Sequence, residues 1–130
     1  MEALHEALEG LRAIIVRHNV RAHFPVEVRF SSGDDALLSP AHGRTTAWLG
    51  IIAYRPYGAD YRQHEPYFLA FEELMERLQG RPHWAKVSCM DAARLARCYP
   101  ATWAAFAALR QRCDPQGVLL NPWARRVLGV

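Results

Sequence analysis

Val26-Glu27-Val28-Arg29-Phe30 alternates apolar and charged residues at period two, the pattern of a half-buried β-strand. Val26, Val28 and Phe30 fall on one face, and Glu27 and Arg29 on the other. Pro25 in front favours extended chain. Ser31-Ser32-Gly33-Asp34-Asp35 behind it is loop by composition. A second strand is predicted from Thr45 to Tyr54. It is nearly continuous in Trp48, Leu49, Ile51, Ile52 and Tyr54, which predicts burial on both faces. Arg55-Pro56-Tyr57-Gly58 ends it.

Helices surround this pair. Glu2 to Asn19 carries Leu4, Leu8, Leu11 and Ile15 at helical spacing. Glu65 to Leu78 carries a stripe of Phe68, Phe71, Leu74, Met75 and Leu78, with Gly80 as C-cap and Pro82 as stop. His83 to Val87 reads as a short extended segment. Asp91 caps a helix to about Tyr99, and a last helix runs from Pro100 to about Cys113. Asp114-Pro115-Gln116-Gly117 is a turn. The tail Val118 to Val130, with Asn121, Pro122 and Trp123, is expected to dock on the core. Two or three strands and four helices, not in strict alternation, predict an α+β fold with a small antiparallel sheet. The 130 residues fit a single domain, 1–130, large enough for a real core.

Composition excludes several classes. Net charge is +3, and fifteen of the sixteen basic residues are Arg, Lys86 being the exception. The arginines are spread among acids rather than clustered, so no nucleic-acid partner is expected. No apolar run reaches about 18 residues, so no membrane span is expected. No basic stretch precedes an apolar one at the N-terminus, which argues against a signal peptide. Cys89, Cys98 and Cys113 are odd in number and lack CxxC spacing. They point to a reducing, cytoplasmic compartment and to buried small apolar groups.

Two constellations could carry chemistry. Glu27 and Arg29 share a strand face. They either pair on a solvated surface or present an acceptor and a fork of donors to a hydroxylated ligand. In His83-Trp84-Ala85-Lys86, extended chain would put Trp84 and Lys86 on one face. His83 is either a base or a hydrogen-bonded core residue. Other candidates are weaker. His5 and His18 are expected on the surface. His23, His42 and His64 fall in loops without metal-ligand spacing, and Asp34-Asp35 lacks further oxygen ligands, so no metal site is expected. Tyr54, Tyr57, Tyr61 and Tyr67 are expected to pack rather than to line a sugar site. There is no GxGxxG, P-loop or GxSxG.

Five segments in order carry a resemblance: His23-Phe24-Pro25-Val26-Glu27-Val28-Arg29-Phe30, Gly33-Asp34-Asp35-Ala36-Leu37-Leu38-Ser39-Pro40, Gly50-Ile51-Ile52-Ala53-Tyr54-Arg55-Pro56-Tyr57-Gly58, Gly80-Arg81-Pro82-His83-Trp84-Ala85-Lys86 and Asp114-Pro115-Gln116-Gly117. Together they resemble the C-terminal, substrate-cap part of the FAD-dependent sugar-1,4-lactone oxidases. That family includes L-gulonolactone oxidase and D-arabinono-1,4-lactone oxidase, and its animal members act in ascorbate biosynthesis. The resemblance implies a cap fold like that of vanillyl-alcohol-oxidase-type flavoenzymes, and FAD bound mainly by an FAD-binding domain or subunit with no counterpart here. It implies that the chain alone is inactive. The resemblance further implies substrate binding by Glu27 and Arg29, and catalytic places for Lys86 and His83, with Lys86 and Asn121 toward the cofactor. The base stays open between Glu27 and His83. Alditol oxidases carry His and Thr where Gly50 and Ile52 stand, which counts against an alditol substrate. A sugar lactone is the expected ligand, and a homo-oligomer covering exposed cap surface is a further expected partner. Peripheral membrane association is implied by the family alone. A non-catalytic sugar-acid or protein-binding module derived from the cap is the alternative.

Overall fold

The computed structural model describes residues 2–21, 24–54, 57 and 60–130, apart from the side chains of Glu2 and Tyr61. His23 and the Arg55, Pro56 and Gly58 positions of the turn expected there lie outside the described residues. The elements are α1 (Glu2–Arg17), β1 (Glu27–Ser31), β2 (Thr46–Gly50), a 3-10 turn (Tyr61–His64), α2 (Glu65–Arg77), α3 (Ala92–Cys98), α4 (Trp103–Cys113) and α5 (Pro122–Leu128). Strands β1 and β2 form a two-stranded antiparallel sheet. The architecture is the α+β arrangement expected.

Two apolar clusters hold the chain. The first joins α1 to α2 through Leu11, Ile14, Tyr67 and Leu74, with Val26 and Ile51 packed from the sheet. Burying Leu11 and Leu74 contributes about 1.5–3 kcal/mol each. The α1 stripe is Ala7, Leu11 and Ile14, one step round the wheel from the expected Leu8 and Ile15. Gly10 permits this approach, because a Cβ there would stand 2.7 Å from a Leu74 methyl. The second cluster joins Met90, Leu95, Tyr99 and Val127, with Leu38, Trp84, Cys98, Trp103 and Leu128 around it. Val127 docks the tail, as expected.

Several expectations need correction. β2 stops at Gly50 and is half-buried throughout. Neither of its faces is fully covered among the described residues. Phe30 is exposed, because the first cluster reaches Val26 but not the far end of β1. At the end of α2 the left-handed residue is Gln79 (φ 57), not Gly80. Gly80 is needed for a different reason: its N–H reaches the Met75 carbonyl at 2.6 Å, and a Cβ would sit 2.9 Å from that oxygen. Helix α4 begins at Trp103 rather than Pro100, and the Thr102 hydroxyl donates to the Leu37 carbonyl at 2.5 Å instead of capping it. Asp91 does cap α3, accepting from the Arg94 N–H at 2.8 Å. Cys89 and Cys113 are exposed and Cys98 is half-buried, so the thiols are not core groups as a set. Of the tyrosines, Tyr67 packs while Tyr57 is fully exposed and Tyr54 is about half exposed. Among the described residues, no helix is long and apolar enough to cross a membrane.

Polar contacts tie the two clusters together. The Glu76 carboxylate accepts from Arg94 at 2.8 and 3.1 Å and from Arg97 at 2.8 Å, linking α2 to α3. Hydrogen bonds from Arg97 and then Arg94 hold its pKa below the ordinary glutamate range. The unfolded chain then binds this proton more readily than the folded one. The network's stability is present above the ordinary glutamate range and is lost as pH falls toward the lowered folded value. Acid-melting curves should therefore be shallower below that range for Glu76→Gln than for the parent; identical slopes would contradict this.

Tyr99 carries a second prediction. It is 1% exposed, and its hydroxyl has no hydrogen-bond partner among the described residues. Burial pushes the phenol up to about 12. An unsatisfied buried hydroxyl costs about 1–3 kcal/mol. Tyr99→Phe removes it without opening a cavity, so chemical denaturation should show a gain of about 1 kcal/mol. A loss of that size would mean the hydroxyl has a partner in solution.

Candidate functional site

The sheet register builds the site. Cross-strand partners are Glu27 with Gly50, Arg29 with Trp48, and Ser31 with Thr46. Residues directly opposite project to the same face, so Glu27, Arg29, Ser31, Trp48 and Gly50 share one side of the sheet. The Trp48 indole N–H donates to Ser31 Oγ at 2.9 Å, which fixes the ring across the strands. Opposite Glu27, Gly50 places no side chain. Even a methyl there would touch the Glu27 carboxylate, at 3.7 Å from Oε2, and anything longer would lie over it.

On this face the Arg29 guanidinium donates one hydrogen bond to Glu27 Oε2 at 3.2 Å. Both side chains are open to solvent, at 74% for Arg29 and 47% for Glu27. An exposed pair of this kind contributes only about 0–1 kcal/mol to stability. The single contact leaves Glu27 Oε1 and most of the Arg29 fork available. The arrangement offers a fixed acceptor beside several donors, suited to adjacent oxygens of a polyhydroxylated ligand.

The segment after α2 brings the second constellation to the same place, though not as extended chain. Residues 84–86 form a turn, closed by the Lys86 N–H on the His83 carbonyl at 3.1 Å. Trp84 and Lys86 therefore do not share a face. The Trp84 indole N–H donates to the Leu38 carbonyl at 2.7 Å, and its ring stacks on Tyr99 at 6.2 Å, inside the second cluster. His83 points the other way and meets Trp48 edge-on, with centroids 6.1 Å apart. Through Trp48, His83 joins the face that carries Arg29. Its Nδ1 accepts the Ala85 N–H at 3.1 Å, so a neutral ring carries its proton on Nε2. Lys86 is exposed, and no hydrogen bond or ion pair engages its ammonium among the described residues.

Arg81 anchors this turn from behind. Its guanidinium donates to the Cys98 carbonyl at 2.9 Å and the His42 carbonyl at 3.0 Å, with longer contacts to Pro40 and Ser39, and lies 4.8 Å from the Tyr99 ring centre. The loop it grips is itself ordered by Asp34. That carboxylate accepts from the Ala36 N–H at 3.1 Å and the Ser39 hydroxyl at 2.5 Å.

The structure thus gathers Glu27, Arg29 and His83 at one sheet face and starts the Lys86 turn there. Asn121 stands apart: its side chain caps α5, accepting from the Ala124 N–H at 2.8 Å. Sequence reading missed Trp48 and Ser31 as site residues, and reached Gly50 only through its comparison with alditol oxidases. The signal lies in the strand register, which the long connection between β1 and β2 leaves unspecified.

Among the described residues, the groove between α4 and α5 does not suit a dinucleotide's pyrophosphate. The groove between α4 and α5 holds about 280 Å³ and is lined entirely by apolar residues, with no charged or hydroxyl group for a pyrophosphate. The Lys86 ammonium, exposed and unengaged among the described residues, is a cation available to a cofactor ring.

A family model described as D-arabinono-1,4-lactone oxidase matches residues 1–127. The chain is 43% identical over 127 residues to the L-gulonolactone oxidase of Bos taurus, covering 97% of this chain and 28% of that protein. It is 44% identical over 124 residues to the L-gulono-1,4-lactone dehydrogenase of Mycobacterium tuberculosis (strain ATCC 25618 / H37Rv), covering 95% of this chain and 28% of that protein. It is 35% identical over 102 residues to the alditol oxidase of a Streptomyces species. The chain spans little more than a quarter of the length of the first two.

Proposed function

The chain belongs to the D-arabinono-1,4-lactone oxidase family, and from that premise we propose that its β1–β2 face binds the sugar lactone of a flavin-dependent oxidoreductase. The observation that carries this reading is the open Glu27–Arg29 pair, with the Gly50 side left free and His83 seated on Trp48. Sugar-lactone and alditol oxidases are generally FAD-dependent. The bulk of that cofactor is held by another domain or chain in this proposal, and the isolated chain is inactive.

Each residue then has a task. Arg29 forks onto two substrate oxygens. Glu27 accepts from the hydroxyl whose carbon is oxidised and is placed to take its proton. His83, with Nδ1 occupied by the Ala85 N–H, presents Nε2–H as a donor, which favours Glu27 as the base. The flavin, when bound, supplies the hydride acceptor. Lys86 offers an ammonium to the negative charge that develops as the hydride leaves, an interaction stronger in the transition state than before it. The three free thiols fit a reducing, cytoplasmic setting.

The test mixes the purified chain with the portion of the mycobacterial L-gulono-1,4-lactone dehydrogenase that it does not span, loaded with FAD. Bleaching of the flavin's visible band by L-gulono-1,4-lactone only when both are present supports the reading. Lactone binding by the chain with no bleaching in any pairing supports a non-catalytic binding module instead.

A further inference from the structure

We propose that Ser31 and Trp48 are positioning residues for the lactone site at the Glu27–Arg29 face, fixing the direction in which His83 presents its Nε2–H; this rests on that face binding the lactone. Trp48 is half-buried in the middle of β2. Among the described residues it belongs to neither apolar cluster, so core packing does not account for its place. Its ring is nonetheless held from two directions. Trp48 stands directly opposite Arg29, and Ser31 lies two residues beyond Arg29 on the same face. The indole N–H donates to Ser31 Oγ at 2.9 Å, which ties the ring diagonally across the strands. From the other side it meets the His83 ring edge-on, at 6.1 Å between centroids and 63° between planes.

His83 is therefore caught between two partners. The Ala85 N–H on Nδ1, at 3.1 Å, restrains the imidazole from inside its own turn. His83 is exposed, and water competes with a single hydrogen bond at the surface. The edge-on contact with Trp48 supplies the second restraint, from the sheet. With Nδ1 engaged, the neutral ring keeps its proton on Nε2, and the two restraints together give that donor one direction. The Lys86 N–H closes the same turn on the His83 carbonyl at 3.1 Å, so seating His83 on Trp48 also fixes the start of the turn against β2. A donor held in place before the ligand arrives loses less freedom on binding than one ordered by the ligand. The Ser31 hydroxyl thus acts on the ligand through Trp48 and His83.

The experiment records magnetic resonance spectra of the isotope-labelled intact chain, then titrates it with L-gulono-1,4-lactone. In the parent, cross-relaxation should join the Trp48 and His83 rings, and the His83 nitrogen shifts should mark the Nε2–H form of the neutral ring. Ser31→Ala should lose the cross-relaxation and weaken lactone binding roughly three- to tenfold, the loss of one hydrogen bond, with the melting temperature unchanged. Trp48→Phe, which cannot donate to Ser31, should behave alike. Ser31→Thr keeps the acceptor and should restore both readings. His83→Ala should lose the same affinity, and adding Ser31→Ala to it should cost nothing further. Ring contact absent from the parent, ring contact persisting in Ser31→Ala, or unchanged affinity once that contact is lost would overturn the proposal. If Arg29→Ala still weakens capture in those cases, the lactone face stands without it. A parent that shows the ring contact and binds no lactone overturns both.

Discussion

Replacing Arg29 by Ala is expected to weaken lactone capture by roughly ten- to a hundredfold while leaving the melting temperature almost unchanged. The two halves of this expectation have different origins. Arg29 is 74% exposed and makes one 3.2 Å contact to Glu27. Losing such a contact costs the fold at most about 1 kcal/mol. A ligand oxygen held by a guanidinium hydrogen bond is worth more, about 1.5–3 kcal/mol. Arg29→Lys should recover little, because an ammonium keeps the charge but not the fork. Glu27→Ala should fall in the same range, and the double variant should lose less than the product of the two, since the groups act as a unit. The measurement is the apparent Kd for L-gulono-1,4-lactone across the four proteins. Unchanged binding in all of them would remove the sheet face from the function.

Arg81→Met should give the largest loss of stability, about 2–4 kcal/mol. In the structure the Arg81 guanidinium gathers carbonyls from the 39–42 loop and from the end of α3, and sits over Tyr99. Methionine keeps much of the stem but leaves those acceptors without a donor. For a domain of this size the thermal midpoint should drop by roughly 10 °C. Because Arg81 stands two residues before His83, the same change should loosen the turn that seats His83 on Trp48. The Trp48 indole resonance should then broaden. A variant that melts within a degree or two of the parent would show that water replaces the guanidinium at little cost.

Local chemistry made much of this fold legible. Asp91 reads as a cap and caps; Leu11 and Leu74 pack as their spacing implies, and the tail docks, through Val127. Pairwise long-range geometry was not legible. The turn at residues 84–86 depends on Trp84 finding the Leu38 carbonyl and Tyr99, contacts with no local signature, so extended chain was the natural expectation. Gln79, not Gly80, takes the left-handed position, and Gly80 is required because the Met75 carbonyl claims the space a Cβ would need. At the site, Glu27 and Arg29 were visible in the strand alternation. Trp48 and Ser31 were not, since their roles exist only in the β1–β2 register, and Gly50 was visible only through its family comparison.

The central claim is that the sheet face holding Glu27, Arg29 and Trp48 binds a sugar lactone. Its most direct test is a titration of the isotope-labelled chain with L-gulono-1,4-lactone, followed by amide, indole and guanidinium resonances. The account predicts saturable shifts at the Trp48 indole N–H, the Gly50 amide and the Arg29 side chain with one common affinity, absent in Arg29→Ala. Shifts confined to the α4–α5 groove, or the same shifts in Arg29→Ala as in the parent, would contradict it.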